Sequence, residues 1–381
     1  MIKKLHEITL NITDGKHGDC ESDKNSKYYF ISAKDIDEYG INYSLARKIT
    51  KESYIESHKR TKLDINDILV TNSGTIGKMC FIKNIPFKTT FQKSVAIIKP
   101  NTEEIIPSFL FYYLLANKNK LINLANGSTQ KNLLLKDIRN FEIHIPDCLD
   151  QQHIVNTIGT IDDLIEKYEQ IKIKIDYLLQ KEWNFYINKF STKIYKLKDL
   201  ISYSNTGADA IQKAPIVEYQ TDYKCVRVGD FTNNREYVDW GYCELTKSIY
   251  NQYKLNAGDV LITRTASIGL AKYISEDIKA VYNNGIIRLK ANSKILPLLL
   301  FLICSTNDFV GYVKGIEAGS STRPNMKIDY LLNYSINIPS IENQLLIVNK
   351  LEKYILEKDK ISARLLKLNN LKKQYLKKFF G

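Results

Sequence analysis

Hydrophobic residues in the first part of the chain fall in short runs that are broken by glycine, asparagine and aspartate. Runs of this kind, rich in β-branched and aromatic residues, predict short strands joined by turns. In residues 67–82, one apolar run enters the polar turn Asn72-Ser73-Gly74 and a second follows Gly77, so we predict a β-hairpin. The run 141–146 alternates in polarity and ends at a proline, which predicts a half-buried strand.

Two longer apolar runs, 105–116 and 295–304, predict buried helices. Each has a proline (Pro107, Pro297) near its start, where a helix loses nothing by the missing N–H group. Both runs fall short of the ~20 residues that a helix needs to cross a bilayer. The charged start of the chain, 1–7, is not followed by an apolar segment, so we expect no signal peptide.

The hydrophobic period changes after each Ile-Pro pair, at Pro146 and at Pro339. Apolar residues then recur at steps of three and four, as in the seam of a coiled coil. No proline or glycine interrupts 161–189 or 344–380, so helices of ~35 residues are predicted. The seam residues are Ile161, Leu164, Tyr168, Ile171, Ile175 and Leu178 in the first helix and Leu351, Tyr354, Ile361, Leu365, Leu368 and Tyr375 in the second, where Lys358 and Lys372 interrupt the pattern.

Two similar seams in one chain favour pairing of the two helices with each other. The connection between them is long enough for an antiparallel arrangement. The second helix is basic and the first slightly acidic, which supports the pairing, although exposed ion pairs are individually weak. The alternative is that each helix packs only on the domain that precedes it.

The whole pattern occurs twice. Residues 67–77 correspond to 259–269 without a gap, and the junction Ile145-Pro146 with Gln151 corresponds to Ile338-Pro339 with Gln344. A repeat of this length indicates duplicated domains rather than a solenoid of short units. The 381 residues are enough for two separate hydrophobic cores.

Composition adds two expectations. The net charge of +13 favours a polyanionic partner, because a basic surface attracts phosphate at long range. The six cysteines are scattered, with no Cys-x-x-Cys pair, so we expect reduced thiols in a cytosolic protein.

No motif in the sequence indicates catalysis. Residues 74–78 resemble a phosphate-binding loop, but Asn72 stands where its first glycine belongs and Met79 where its hydroxyl residue belongs. We find no adenine-methyltransferase motif, glycine-rich cofactor loop, metal-ligand cluster or nuclease carboxylate set. We therefore expect a non-catalytic binding protein without a metal or cofactor of its own.

Four features, in this order and twice over, resemble the specificity subunits of type I restriction-modification systems, and the resemblance covers nearly the whole chain. They are Asp14-Gly15-Lys16-His17-Gly18 followed by 29–36, the run 258–265 with its partner 66–73, the loop 127–131, and the Ile-Pro-x4-Gln junctions at 145–151 and 338–344. The resemblance implies an α+β protein with two mixed α/β target-recognition domains in tandem. A long helix would follow each domain, and the helices would pair as an antiparallel coiled coil with pseudo-two-fold symmetry.

The boundaries that we expect are 1–149 and 191–342 for the domains and 150–190 and 343–381 for the helices. By resemblance, each domain would read one half of a bipartite, asymmetric DNA target. The partners would be double-stranded DNA, two methyltransferase subunits and, in the full complex, endonuclease and translocase subunits, with no membrane. S-adenosylmethionine, magnesium and ATP would be bound only by those partner subunits.

Candidate DNA contacts are the polar and basic residues of loops where regular structure stops. They are Lys16, His17, Asn72, Ser73, Thr75, Lys78, Gln130 and Lys131 in the first copy and Arg264, Thr265, Ser267, Arg323, Asn325 and Lys327 in the second. Arginine can bond guanine and an amide can bond adenine with two hydrogen bonds each, which suits Arg264, Arg323, Asn72 and Gln130. For Ser73, Thr75 and Ser267, hydrogen bonding within the turn is an equal alternative.

The copies differ most between 10–60 and 202–253, so we expect the two half-sites to differ. The second copy opens with Asn205-Thr206-Gly207-Ala208, and we expect nothing of the Asp-Gly-Lys-His motif to carry over to it. Two other hypotheses remain, namely a free-standing repressor-like DNA-binding protein and an unrecognised enzyme such as a nuclease acting alone.

Overall fold

The computed structural model describes residues 1–37, 40–44, 46–125, 132–233, 235–317 and 326–381. It divides into two compact units. The first unit comprises 1–167 with 367–381, and the second comprises 168–366. Each long helix therefore contributes residues to both units.

The first repeat is a mixture of short strands and helices. Its strands are β1 (Ile2–Lys4), β2 (Thr9–Asp14), β3 (Tyr28–Ile31), β4 (Ile36–Asp37), β5 (Gly40–Ile41), β6 (Arg47–Ile49), β7 (Ile68–Thr71), β8 (Met79–Phe81), β9 (Lys88–Phe91), β10 (Val95–Pro100) and β11 (Glu142–His144). Its helices are α1 (Lys51–Thr61), α2 (Pro107–Ala116), α3 (Lys118–Asn123), α4 (Leu135–Arg139) and the long α5 (Cys148–Lys189), with 3₁₀ turns at Leu5–Ile8 and Ala33–Asp35.

Two sheets form the body of this repeat. An antiparallel sheet has the order β2-β10-β7-β8, and a three-stranded sheet has the order β6-β3-β9 with β3 and β9 parallel. In β7, Ile68 and Val70 pack in one core with α2, while Leu69 packs in a second core with Phe91 of β9. Burial on both faces explains why this strand is continuously apolar.

The second repeat contains both of these sheets again. Its strands are β12 (Thr192–Lys196), β13 (Ile201–Thr206), β14 (Lys224–Val226), β15 (Gly241–Tyr242), β16 (Asp259–Thr263), β17 (Ala271–Tyr273), β18 (Ala280–Tyr282), β19 (Ile286–Ala291) and β20 (Ser335–Pro339). Its helices are α6 (Val228–Thr232), α7 (Lys247–Tyr253), α8 (Pro297–Cys304), α9 (Asn307–Glu317), α10 (Ile328–Leu332) and the long α11 (Ile341–Phe380), with 3₁₀ turns at Leu197–Leu200 and Tyr237–Asp239.

The sheets of the second repeat have the orders β13-β19-β16-β17 and β15-β14-β18, again with one parallel pair, β14 and β18. The predicted hairpin is confirmed as β7–β8 and recurs as β16–β17. The predicted buried helices are confirmed as α2 and α8. The fold class, two tandem mixed α/β domains each followed by a long helix, is confirmed as well.

The two long helices run antiparallel within each unit. In the second unit, Tyr168 of α5 contacts Arg364 of α11, and Asp176 of α5 pairs with Lys358 at 2.5 Å. In the first unit, the His153 ring of α5 lies 5.9 Å from the Phe379 ring of α11, and Asp162 pairs with Lys372 at 2.7 Å. The two lysines that interrupt the predicted seam therefore each meet an aspartate of the other helix.

The structure corrects two of the predicted seam residues. Leu164 and Leu178 are 39% and 36% exposed, whereas the adjacent Ile165 is 2% exposed and the adjacent Leu179 packs against the second core. Two neighbouring apolar residues fit a three-four spacing in either register, so the pattern alone could not choose between them. The remaining predicted seam residues are buried or half-buried, namely Ile161, Tyr168, Ile171, Ile175, Leu351, Tyr354, Ile361, Leu365, Leu368 and Tyr375.

The end of each long helix completes the core of the other repeat. The α11 residues Tyr375, Leu376, Phe379 and Phe380 pack against the core that contains α2, within the first unit. The α5 residues Leu179, Trp183, Tyr186 and Phe190 pack against the core that contains α8, within the second unit. The alternative in which each helix packs only on the domain that precedes it is therefore wrong.

The glutamine of each Ile-Pro-x4-Gln junction is a buried hydrogen-bonding link. Gln151 Oε1 accepts from the main-chain N–H of Ile106, just before α2, and its Nε2 donates to the carbonyl of Pro146. Gln344 Oε1 accepts from the N–H of Leu296, and its Nε2 donates to the carbonyl of Pro339. Each glutamine thus joins the start of its long helix to the start of the buried helix.

Replacing Gln151 by leucine should lower the free energy of unfolding by about 2 kcal/mol, because the part-buried Ile106 N–H and Pro146 carbonyl would lose their partner. Denaturant unfolding of the full chain measures this change. Gln152→Leu is the matched control, since the Gln152 side chain is exposed and donates to Asn156 Oδ1 on the same helix. An equal effect of both variants would contradict the role of Gln151.

Among the described residues, no single helix is both long and apolar enough to span a bilayer. Pro297–Cys304 and Asn307–Gly315 reach that length and hydrophobicity only when taken together, as a pair bent by 61°. The six cysteines form no disulfide, and all but Cys148 are buried.

Candidate nucleic-acid interface

Four connections meet at one end of the four-stranded sheet in each repeat. We call this surface the loop edge, which comprises 14–18, 32–35, 72–75 and 92–94 in the first repeat and 206–208, 227–230, 264–267 and 283–285 in the second. Main-chain hydrogen bonds hold it together, since Lys16 N donates to Phe91 O at 2.8 Å and Asn72 N to Ser94 O at 3.0 Å. The second repeat repeats both bonds, from Ala208 N to Tyr282 O and from Arg264 N to Gly285 O.

A glycine directly after β2 or β13, the first strand of each four-stranded sheet, lets the two backbone segments approach so closely. A Cβ atom at Gly15 would lie 2.1 Å from the Phe91 carbonyl oxygen, and one at Gly207 would lie 2.1 Å from that of Tyr282. These positions admit only glycine. The expectation that nothing of the Asp-Gly-Lys-His motif carries over to the second copy is therefore wrong, because Gly207 holds the place of Gly15.

Ion pairs position the rest of this motif in the first repeat. The buried Asp14 carboxylate pairs with Arg60 of α1 and lies 3.1 Å from His17 Nε2. Lys16 Nζ lies 2.8 Å from Glu56 of α1, and this hydrogen bond raises the pKa of Lys16. Lys16 therefore stays cationic, and a phosphate group would compete with Glu56 for it.

The predicted hairpin turns end at the loop edge, and a buried threonine holds each one. Thr71 Oγ1 accepts from Lys78 N at 2.9 Å and donates to the carbonyl of Thr75, while Thr263 Oγ1 makes the corresponding bonds to Leu270 and Ser267. The turns project their tips outward, because Thr75 and Ser267 are exposed. Ser73, Lys78 and Thr265 are half-buried.

The structure does not place Asn72 at the surface. Asn72 is only 5% exposed, and its main-chain carbonyl oxygen accepts from Leu133 N, where the chain after α3 returns to the loop edge. The side-chain oxygen of Asn72 is buried as well, so the adenine contact predicted for Asn72 would require this amide to become exposed.

Arg264, the counterpart of Asn72, is half-buried, with Nε donating to Met326 O and Nη1 to Asn284 O. Its guanidinium is therefore engaged by main-chain carbonyls of its own repeat.

Four other candidates, Gln130, Lys131, Arg323 and Asn325, lie outside the described residues. Lys327 is exposed and immediately precedes α10. The described chain resumes beside the hairpin turns in both repeats, since Ser73 forms a bridge with Asn132 and Met326 N donates to Arg264 O. No cluster of potential metal ligands occurs in the described ranges.

Comparison with known proteins decides the family. The model of the type I restriction modification DNA specificity domain matches the chain twice, over residues 7–177 and 191–370. The chain belongs to this family. Each match contains one complete loop edge, so the two edges are the equivalent surfaces of two specificity domains.

Relatives with curated names agree. The chain is 32% identical over 122 residues to a putative MjaX specificity subunit of Methanocaldococcus jannaschii, a match that covers 32% of this chain and 28% of that relative. It is 26% identical to the MjaIX specificity subunit of the same organism over 89% of this chain and 82% of the relative.

A crystal structure of the type I restriction-modification S subunit from M. genitalium has the same fold, with a TM-score of 0.60 and 14% identity over 100% of this chain and 96% of that one.

Sequence reasoning missed three residues of the first specificity domain. Lys34, Gln92 and Lys93 line an open groove with Ser73 and Thr75. Lys34 and Lys93 are exposed. The only signal was the polar stretch Gln92-Lys93-Ser94 between two apolar runs, and its place beside the hairpin turn depends on the parallel pairing of β3 with β9.

Proposed function

We propose that this chain is the DNA sequence-specificity subunit of a type I restriction-modification complex and reads a bipartite, asymmetric target with one domain per half-site. The observation that carries the proposal is the pair of loop edges, one within each of the two family matches. Loop edges that share several main-chain hydrogen bonds but carry different side chains suit two readers of unlike sequences.

The differences between the edges support an asymmetric target. Positions that correspond in the main-chain bonding carry the half-buried Lys16 and the exposed Lys93 in the first domain, and the buried Ala208 and the exposed Asn284 in the second. Lysine contributes phosphate binding without sequence preference, whereas neutral polar side chains contribute hydrogen bonds to base edges. The two half-sites should therefore differ in sequence.

Catalysis belongs to partner subunits under this proposal. The chain would assemble in the cytoplasm with two methyltransferase subunits that modify adenine, and with endonuclease and translocase subunits in the full complex. S-adenosylmethionine, magnesium and ATP would bind to those subunits. Family membership supports a non-catalytic role for this chain, because the matching model is that of a DNA specificity domain.

Selection from a pool of DNA duplexes with a randomised centre tests the proposal. The full chain should be assayed alone and together with its methyltransferase subunit. We expect enrichment of two unlike half-sites at one fixed spacing. Enrichment of no sequence, or of one continuous palindrome, would contradict the proposal. Tight selection by the chain alone, with no effect of the methyltransferase subunit on binding, would instead favour the free-standing repressor.

A further inference from the structure

The two loop edges carry an amide side chain at the same structural position, Gln92 in the first domain and Asn283 in the second. Gln92 N donates to Ile31 O at 2.8 Å, and Gln92 O accepts from Val95 N at 3.0 Å. Asn283 N donates to Val226 O at 3.1 Å, and Asn283 O accepts from Ile286 N at 3.1 Å. Both residues therefore directly follow a strand of the parallel pair and make the same main-chain hydrogen bonds.

Gly15 and Gly207 lie directly against the backbone of the two amide residues. A Cβ atom at Gly15 would lie 2.4 Å from the carbonyl oxygen of Gln92, and one at Gly207 would lie 2.3 Å from that of Asn283. The chain at the end of β2 and of β13 thus packs directly on the backbone of the amide residue in its domain. A backbone held this tightly gives the side chain a defined origin, which reading a base edge requires.

The two amides differ in how their side chains are held. In the first domain, Ser94 Oγ accepts from Ala33 N at 3.2 Å and donates to Gln92 Oε1 at 3.1 Å. The Gln92 oxygen is therefore held inward, which leaves its Nε2 donors for the groove lined by Lys34, Ser73 and Thr75.

In the second domain, Gly285 stands in the place of Ser94 and offers no hydroxyl group. Asn283 Oδ1 is buried and has no hydrogen-bond partner among the described residues. No hydrogen bond holds this oxygen inward, so rotation of the side chain can bring the oxygen and the Nδ2 donor to the surface side by side. An amide that presents both is the partner that adenine prefers in the major groove.

We propose that Gln92 and Asn283 are base-reading residues of the two domains, with Ser94 as a positioning residue that restricts Gln92 to donating. Gln92 would read an acceptor edge, such as guanine O6 and N7 or thymine O4, and Asn283 would read adenine. This inference rests on the proposed function, and it assigns one residue to each half-site.

Selection from the same randomised duplex pool, with the full chain and its methyltransferase subunit, tests the assignment. Gln92→Ala should reduce discrimination at one base pair of one half-site by about tenfold and leave the other half-site unchanged. Asn283→Ala should do the same in the other half-site. Gln92→Met keeps the length of the side chain and gives the same result if alanine impairs folding.

Ser94→Ala tests the positioning role through the identity of the selected base, a readout that loss of the bond from Ala33 N would not change. This variant retains Gln92 and the main-chain bond from Asn72 N to residue 94. It removes the hydrogen bond that holds Gln92 Oε1, so the Gln92 amide can rotate. The base selected at the position that Gln92 reads should then broaden to include adenine. Lys93→Gln is the control, because losing a phosphate contact should weaken binding to all sequences alike and lower the salt dependence by about one counterion.

The outcomes distinguish a wrong assignment of Gln92 and Asn283 from a wrong proposed function. A bipartite motif that is unchanged in Gln92→Ala, or altered in both halves, would overturn the assignment and leave the proposed function intact. An adenine preference absent from Ser94→Ala would overturn the positioning role. Wild-type chain that selects no bipartite motif would overturn the proposed function itself.

Discussion

Replacing Gly15 by alanine is expected to lower the stability of the first domain by about 3 kcal/mol or more, because the new methyl group would overlap main-chain atoms rather than a flexible side chain. The Cβ would lie 2.1 Å from Phe91 O and 2.4 Å from Gln92 O. Relief requires β2 and the end of β9 to separate, which would break the bond from Lys16 N to Phe91 O. Gly207→Ala should damage the second domain by the same mechanism.

Hydrogen exchange in the full chain measures this effect by domain. Gly15→Ala should speed exchange in β2 and β10, and Gly207→Ala in β13 and β19. Gly159→Ala is the matched control, since its Cβ would meet only Tyr112 Oη at 3.7 Å and alanine stabilises a helix interior by ~0.5–1 kcal/mol. Normal stability of Gly15→Ala would show that the loop edge does not depend on this close approach.

Shortening the aromatic side chains at the helix ends should destabilise the repeat that each end contacts. Phe380 lies 5.7 Å from the Phe109 ring and 5.6 Å from the Tyr113 ring, both on α2. Trp183 of α5 packs against the core that contains α8. Because both aromatics are half-buried, we expect Phe380→Ala and Trp183→Ala each to cost about 2–3 kcal/mol.

The location of the effect is the decisive readout. Phe380→Ala should speed hydrogen exchange in α2, and Trp183→Ala should speed it in α8, although each mutated helix follows the opposite repeat in the sequence. Tyr177→Ala is the control on α5, because Tyr177 is 66% exposed. Faster exchange confined to the repeat that precedes the mutated helix would contradict the packing described here.

Features that depend on local pattern were predictable from the sequence. The hairpins, the proline-initiated buried helices and the long helices all follow from spacing along one segment. The junction glutamines were visible as repeated residues. Their hydrogen bonds to Ile106 and Leu296 were not, because these groups lie 45 and 48 residues away in the sequence.

Features that depend on long-range contacts were missed or wrong. Asn72 looked exposed because it lies in a polar turn, but the chain that returns at Leu133 covers it. The equivalence of Gly15 and Gly207 was hidden because the residues that follow them differ, and only the approach of Phe91 and Tyr282 reveals it. Gln92 gave no strong signal, since its role depends on a parallel strand pair.

A domain exchange tests the central claim, that each domain reads one half of the target. Residues 1–147 would be replaced by the same segment of another family member that has aromatic residues at the positions of Phe109 and Tyr113, so that Phe380 keeps its contacts. Long-read sequencing would then map methylated adenines in cells that carry the original or the chimeric chain. We predict that one half of the methylated motif changes, while the other half and the spacing stay the same. A change in both halves, or in neither, would contradict the account.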